Sequence, residues 1–355
     1  MERPILCFMS LLFMIIVSCY LRMWVKIKNN NNLIANNRSD MYKLKFNEYL
    51  KEFNKFYTGS EYEERLQNFK ASLKEIKKLN ALEGATVFGL TKFSDMSKGE
   101  FVTRMLLNSS DVGTCYDKHK DCIDTVDNDY DEERYDTDLP SNFDWRKEGI
   151  VFPVLNQKLC LGCWAFSIVG VMESMAAKQG IDHVRRSIQE LIDCSIYNNG
   201  CNGGSVYTAL DYLCMKSKPV KIVTEEEYPL TLSGEKDCKA SAHAVGRRLK
   251  EFTYQCKVDE DEMVRQVATH GPLVAIVDAS NWMNYIGGII RRACAAEVSN
   301  HVIQIVGYAN YNTTDPYFLI RNSFGEDFGD HGYVKIGLYG NVCGIRNQVT
   351  MLDVV

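Results

Sequence analysis

Two cysteines three residues apart, Cys160 and Cys163, lie in the run Asn156-Gln157-Lys158-Leu159-Cys160-Leu161-Gly162-Cys163-Trp164-Ala165-Phe166-Ser167. The second opens a stretch that reads as a helix. A thiol at a helix N-terminus feels the positive end of the dipole, which favours the thiolate. The thiolate is the form that attacks a carbonyl carbon. Far downstream, Asn300-His301-Val302-Ile303-Gln304-Ile305-Val306-Gly307-Tyr308 puts a histidine at the head of a strand-like run, and Arg321-Asn322-Ser323-Phe324-Gly325 puts an asparagine at the end of another. A cysteine, then a distant histidine, then a nearby asparagine is a chain order that nucleophilic thiol catalysis uses. Blander chemistries share these residues. A CxxC redox pair also sits at a helix start, but belongs near the beginning of a small βαβ unit. Zinc would want two close cysteine pairs, and only Cys160 and Cys163 make one. Either cysteine alone could be a structural half-cystine, and one of six histidines proves little by itself.

The elements that must position these residues follow from periodicity. A long helix is expected from Cys163 through Trp164, Ile168, Met172 and Met175, with Gly180 placed to stop it. Leu273 to Val277, Val302 to Val306, Tyr317 to Ile320 and Tyr333 to Ile336 read as strands. A helical half thus precedes a β-rich half. Upstream, Tyr42, Phe46, Tyr49, Leu50 and Phe53 step by three and four, as do Tyr62, Leu66, Phe69, Leu73 and Ile76, predicting a hairpin of two amphipathic helices in which Glu61 and Arg65 pair across one turn. Asn29 to Asn37 reads as a solvated linker. Residues 121–138 are strongly acidic, opposed only by Arg134, and such a self-repelling run reads as an open, cleavable linker.

At 355 residues, 46% of them hydrophobic, the chain has enough apolar material for more than one folding unit. A net charge of -5 argues against a dedicated nucleic-acid binder. Thirteen scattered cysteines suit an oxidising compartment. The apolar run from Pro4 to Leu21, preceded by Arg3, reads as a secretory signal peptide, with an uncleaved anchor as the alternative; Arg22, Lys26 and Lys28 behind it fit the positive-inside rule poorly. Sequons at Asn37, Asn108 and Asn312 are compatible with secretion and glycosylation.

Taken together, these words resemble the papain and cathepsin family of cysteine proteases over most of the chain. The resemblance is carried by Leu139-Pro140-Ser141-Asn142-Phe143-Asp144-Trp145-Arg146, Gln157, Cys163-Trp164-Ala165-Phe166-Ser167, Cys194, Gly200-Cys201-Asn202-Gly203-Gly204, Tyr228-Pro229, His301 and Asn322-Ser323, all in family order. Upstream, Glu61, Arg65, Phe69, Ile76 and Asn80 match the inhibitory pro-helix motif, with Ser72 where asparagine is usual. Gly89, Phe93 and Asp95 match the motif after it, with Thr91 in place of asparagine. The resemblance implies an α+β fold: a papain-like two-domain body, helical on the left and β-barrel-like on the right, preceded by a helical inhibitory pro-domain. It implies a signal peptide at 1–19, a propeptide at 20–138 with its inhibitor region at about 42–98, and a peptidase domain at 139–355.

The resemblance further implies Cys163 as nucleophile, His301 as base, Asn322 as the group that orients it and Gln157 as an oxyanion donor. Gly203, Gly204, Ser205 and Gln348 would border the substrate. Disulfides would join Cys160 to Cys201, Cys194 to Cys238 and Cys294 to Cys343. Cys214 and Cys256 are left to pair with each other or stay as thiols, and Cys115 and Cys122 to pair with each other or tie a remnant to the body. Neither cofactor nor metal is expected. The expected partners are protein or peptide substrates, the chain's own propeptide as inhibitor, and cystatin-like inhibitors, with a monomeric mature enzyme in the lysosome or outside the cell. Three departures bear on activity: Leu161 replaces a glycine beside the nucleophile, and Phe324 and Phe328 replace two tryptophans. The alternatives to an active endopeptidase are a catalytically impaired binding protein of the same fold and a CxxC oxidoreductase.

Overall fold

The computed structural model describes residues 17–18, 20–28, 40–123, 138–216, 220–234, 236–240 and 245–355. Most of the apolar run from Pro4 to Leu21, Asn37 and most of the acidic run lie outside the described residues. Among the described residues no helix is long and apolar enough to cross a membrane.

The chain divides into two compact units, residues 1–70 and 71–355. In the first, the three-and-four spacing of aromatic residues builds the expected hairpin from α1 (residues 40–52) and the start of α2 (Gly59–Glu83). Phe46, Tyr49, Leu66 and Phe69 are fully or almost fully buried there, and the Phe69 ring lies 5.2 Å from Phe46 and 5.1 Å from Tyr49. Glu61 and Arg65 approach to 3.9 Å across one turn.

The second unit begins within α2. Its Asn80 side chain accepts the N–H groups of Val87 and Phe88 and donates to the Phe88 carbonyl, so one amide folds the chain back at the helix end. Next come α3 (Lys98–Met105), whose N-cap Ser97 accepts the Glu100 N–H, then α4 (Ser109–Val112) and β1 (Lys118–Asp121). The acidic stretch read as an open linker from 121 therefore starts inside ordered structure: Asp121 closes a strand and Cys122 is disulfide-bonded.

Beyond β2 (Phe143–Asp144), α5 (Cys163–Lys178) is the central helix, buried from Cys163 to Ala176. It packs on α6 (Ile188–Cys194) and α7 (Val206–Leu213) on one side and on the sheet on the other, which is why it is apolar all round. Gly180, at φ +67, ends it as expected. The β-rich half contains β3 (Leu249–Cys256), α8 (Glu260–Thr269), β4 (Leu273–Val277), β5 (Ile289–Ile290), β6 (His301–Ala309), β7 (Tyr317–Arg321), β8 (Tyr333–Gly337) and β9 (Gln348–Val354). The strands run in the order β1-β3-β9-β4-β6-β7-β8-β5, with β2 pairing to β6 off this path. The expected barrel-like half is thus a sheet with two free ends, one of them β1.

Register fixes where the candidate histidine and asparagine stand. Val277 on β4 stands opposite His301 on β6, and Gln304 on β6 opposite Arg321 on β7, so the head of β6 and the end of β7 meet at one corner of the sheet. β2 closes the outer side of β6, with Asp144 opposite Gly307. A Cβ on Gly307 would lie 2.4 Å from the Phe143 carbonyl oxygen. Gly307→Ala should therefore push β2 away and lower stability by about 1–3 kcal/mol, as overpacking does; a thermal unfolding midpoint equal to wild type would contradict this packing.

Candidate active site

Cys163 is the first residue of α5, after Gly162, and its side chain is fully buried. It is the free cysteine among the described residues. Cys160 is bonded to Cys201, so the CxxC spacing holds no dithiol and the oxidoreductase reading fails on geometry. Backbone groups of Val302, the residue after His301, and of Trp164 hydrogen-bond to the Cys163 sulfur. His301 opens β6 and is also fully buried. Its Nε2 lies 2.7 Å from Asn322 Oδ1. An amide oxygen only accepts, so Nε2 carries the proton and Nδ1 is left with its lone pair. Nδ1 has no hydrogen-bond partner among the described residues.

Aromatic rings keep this corner dry. Phe324 lies over the His301 ring at 4.8 Å, and Trp282 meets it edge-on at 5.9 Å. Phe324 and Phe328 are fully buried and stack edge to face at 5.1 Å. Of the two tryptophan replacements, Phe324 covers the imidazole and Phe328 backs Phe324. Gln157, also fully buried, is held by Ser323, whose hydroxyl donates to Gln157 Oε1 at 2.5 Å. Its Nε2 donates to the Cys160 carbonyl at 3.0 Å and to the Met105 carbonyl at 3.3 Å. Leu161 is half-buried against the helical core.

The Met105 contact shows what covers the site. Residues 105–113 lie along the corner as a strap. The Leu107 N–H donates to the Asn300 carbonyl at 2.8 Å. Gly203, at φ +118, faces the strap so closely that a Cβ would lie 2.9 Å from an Asp111 carboxylate oxygen. Ser205 Oγ donates to the Val112 carbonyl at 3.4 Å, and Gln348 Nε2 approaches the Gly113 carbonyl at 3.5 Å. Gly203, Ser205 and Gln348 are thus gathered along one line by the strap. At Gly204 a Cβ would meet Asn198 and Trp164 at 2.8 Å, so no side chain fits there.

Upstream contacts hold the strap in place. Phe88 bridges to Tyr285 as a single antiparallel pair, Thr91 Oγ1 donates to the Met283 carbonyl at 2.5 Å, and Lys92 reaches Asp327 at 2.6 Å. The Glu83 carboxylate accepts the backbone N–H groups of Arg291, Arg292 and Ala293 at 2.8–3.0 Å. Phe93 packs on Phe324 and Phe328, and Phe101 on Phe324, so the strap's own base roofs the rings over His301.

This cover sets the charge state. Burial pushes the Cys163 thiol up to about 12, against the backbone hydrogen bonds that favour the thiolate. Burial likewise pushes the His301 imidazole down to about 4, against the bond to Asn322. In the covered state burial thus drives both groups towards their neutral forms, against the helix dipole.

Disulfides join Cys160 to Cys201, Cys194 to Cys238 and Cys294 to Cys343, the pairs the resemblance implies. Four further cysteines pair across the linker: Cys115 with Cys256 and Cys122 with Cys214. This excludes a Cys214–Cys256 bridge and a Cys115–Cys122 bridge. Sequence reading also missed Asn300, Ser323 and Trp282 as site residues. Each lies within two residues of a recognised position or on an otherwise featureless turn, and only the fold marks them. Of the glycosylation candidates, Asn108 and Asn312 are exposed.

With this geometry in view, the comparisons with known proteins are specific. Residues 139–352 match the Papain family cysteine protease domain, and residues 46–101 the Cathepsin propeptide inhibitor domain (I29). The chain belongs to the papain family of cysteine proteases. Human cathepsin O is 42% identical over 217 residues, covering 61% of this chain and 67% of that protein. Cysteine proteinase 1 of Dictyostelium discoideum is 34% identical over 86% of this chain and 91% of its own length. The solved structure of digestive procathepsin L2 from Tenebrio molitor larval midgut superposes with a TM-score of 0.71 at 26% identity, over 88% of this chain and 99% of that one. The chain is a cysteine-type peptidase made with its own inhibitory propeptide.

The covered charge state has a pH signature. In a Cys163→Ala chain the thiol proton is gone and His301 titrates alone. Its covered value is depressed to about 4 from the usual 6.5. Above about pH 6.5 covered and open states are both neutral; as pH falls towards 4 only the open state gains a proton, so the covered state loses stability. Amide protection of Met105 to Val112 should fall over that window, and part of the fall should vanish in Cys163→Ala/His301→Asn. Identical pH profiles for the two variants would contradict the buried neutral imidazole.

Proposed function

We propose that the chain is an endopeptidase in which Cys163 is the nucleophile, His301 its base, Asn322 the orienting group and Gln157, with the Cys163 backbone N–H, the oxyanion donor. The observation that carries this reading is the 2.7 Å His301–Asn322 bond beside a thiol at a helix start, beneath a strap that lays a carbonyl on Gln157 Nε2. A group that already donates to a peptide carbonyl oxygen is suited to a developing oxyanion.

Removing the strap readmits water, and the thiol proton passes to His301 Nδ1. The thiolate adds to the scissile carbonyl carbon, and the oxyanion is met by the two donors. His301 then protonates the departing amine, leaving a thioester. Water, deprotonated by His301, releases the acid and restores the thiol. Gly203 and Gly204 would pair with the extended substrate chain, and Ser205 and Gln348 would line the subsite wall where the strap now touches them. Gln348 makes that wall more polar than an aliphatic residue would. Its Oε1 accepts the Tyr254 hydroxyl at 2.7 Å, which fixes the amide orientation.

The same reading assigns residues 1–19 to a signal peptide, 20–138 to the propeptide and 139–355 to the monomeric peptidase, acting in lysosomal or extracellular proteolysis and open to cystatin-like inhibitors. Five disulfides among the described residues support an oxidising compartment. The impaired-binder alternative rests on Leu161, Phe324 and Phe328, yet Phe324 still lies over His301 with Phe328 packed behind it.

An epoxide affinity label for thiol proteases, applied before and after acid maturation and mapped by mass spectrometry, tests the assignment. The expected result is label on Cys163 only after maturation, none in Cys163→Ser, and a loss of about 10²–10³ in peptide turnover for Gln157→Ala. A matured, folded protein that takes no label would transfer the case to the binding-protein reading.

A further inference from the structure

The segment ahead of the linker has two parts held in different ways. The strap, residues 105–113, is held by hydrogen bonds and packing alone, and it must leave before a substrate chain can reach Gln157 and Gly203. Residues 115–122 are held covalently at both ends. Cys115 is bonded to Cys256 at the end of β3, and Cys122 to Cys214 just after α7. Between them β1 is a ladder strand, with Lys118 opposite Tyr254 and Asp121 opposite Glu251. The Asp117 carboxylate accepts the Cys256 N–H at 2.8 Å, the Cys122 N–H donates to the Lys250 carbonyl at 2.8 Å, and Lys120 pairs with Asp211 at 2.5 Å. Cys122 is 2% exposed.

A cut in the acidic run, residues 124–137, lies on the peptidase side of both bridges. It would separate the chain into two pieces without releasing either. A second cut between Leu107 and Cys115 would free the strap and still leave residues 115–123 in place.

We infer that the matured peptidase is a two-chain molecule, in which the Cys115–Cys122 strand is retained by its disulfides as the edge of the sheet and as a wall of the substrate cleft. The wall follows from position. Tyr116 meets Tyr207 edge to face at 4.8 Å, Tyr207 meets Tyr254 at 5.7 Å, and Tyr254 donates to Gln348. The retained strand thus reaches through three tyrosines to the residue proposed above to line the subsite, and residues there select side chains on the unprimed end of a substrate. The role as a wall rests on the peptidase reading; the retention does not.

The two parts are tested separately. The Cys163→Ser chain, unable to process itself, is cut in the linker with an added protease and weighed intact, with and without reductant. The expected result is one species that retains the N-terminal piece until reductant separates it. Dissociation without reductant would overturn retention whatever the catalytic competence. The self-matured wild type should then carry a peptide containing Cys115 and Cys122, lost on reduction; a bare body with Cys214 and Cys256 joined or free would overturn the two-chain form. Finally, matured Tyr116→Ala should change relative kcat/KM several-fold between peptides differing in the side chain nearest Gln348, with label uptake on Cys163 retained. An unchanged preference would remove the wall, and loss of labelling in wild type would instead indict the peptidase assignment.

Discussion

The exclusion of water from one corner of the sheet governs most of what this chain does before maturation. Cys163 and His301 are fully buried there, and burial drives each towards its uncharged form. The same pair, hydrated, would be drawn towards charge separation by the helix start beneath Cys163. The strap therefore does two things at once. It occupies the groups proposed to meet a substrate, and it withholds the solvent that would support an ion pair. Inhibition needs no distortion of the proposed catalytic geometry, since the His301–Asn322 bond is already formed at 2.7 Å.

That dryness is assembled from both sides of the linker. Trp282 and Phe324 belong to the peptidase body, whereas Phe93 and Phe101 come from the segment that precedes the strap, and all four converge around His301 or its neighbours. Phenyl rings cover less area than indoles, and the upstream phenylalanines complete the roof in the covered state. The anchors further out are polar and specific. Glu83 occupies three backbone N–H groups, and Asn80 sets the turn that brings Phe88 against Tyr285. The strap is thus short and weakly held in itself, and its placement is enforced by what precedes and follows it.

Much of this was legible in the amino-acid order, for reasons that can be named. Local periodicity located α5, which starts at Cys163 as expected, and β4, which spans Leu273–Val277 as expected. The aromatic steps of the N-terminal hairpin needed no tertiary information. The triad candidates stood out because each sits at the end of a periodic element, where the chain turns and a side chain is free to face a cleft. What stayed hidden was non-local. Four cysteines allow three pairings, and only the placement of β1 beside β3 chooses Cys115–Cys256 and Cys122–Cys214. β1 itself, Lys-His-Lys-Asp, has no apolar alternation and takes its form from its neighbour and its bridges. Gly203 and Gly204 look alike in sequence, yet a side chain on one would meet the strap and on the other Trp164.

The most direct test of this account is the pH profile of carboxymethylation at Cys163, read by mass spectrometry of the intact chain and of the matured form. Covered and neutral, the intact chain should react slowly, with no rise until well above the ordinary thiol range. The matured form should react fast from mildly acidic pH, as a thiolate paired with a charged imidazole would. Two superimposable profiles would contradict the claim that the strap sets the charge state of the site.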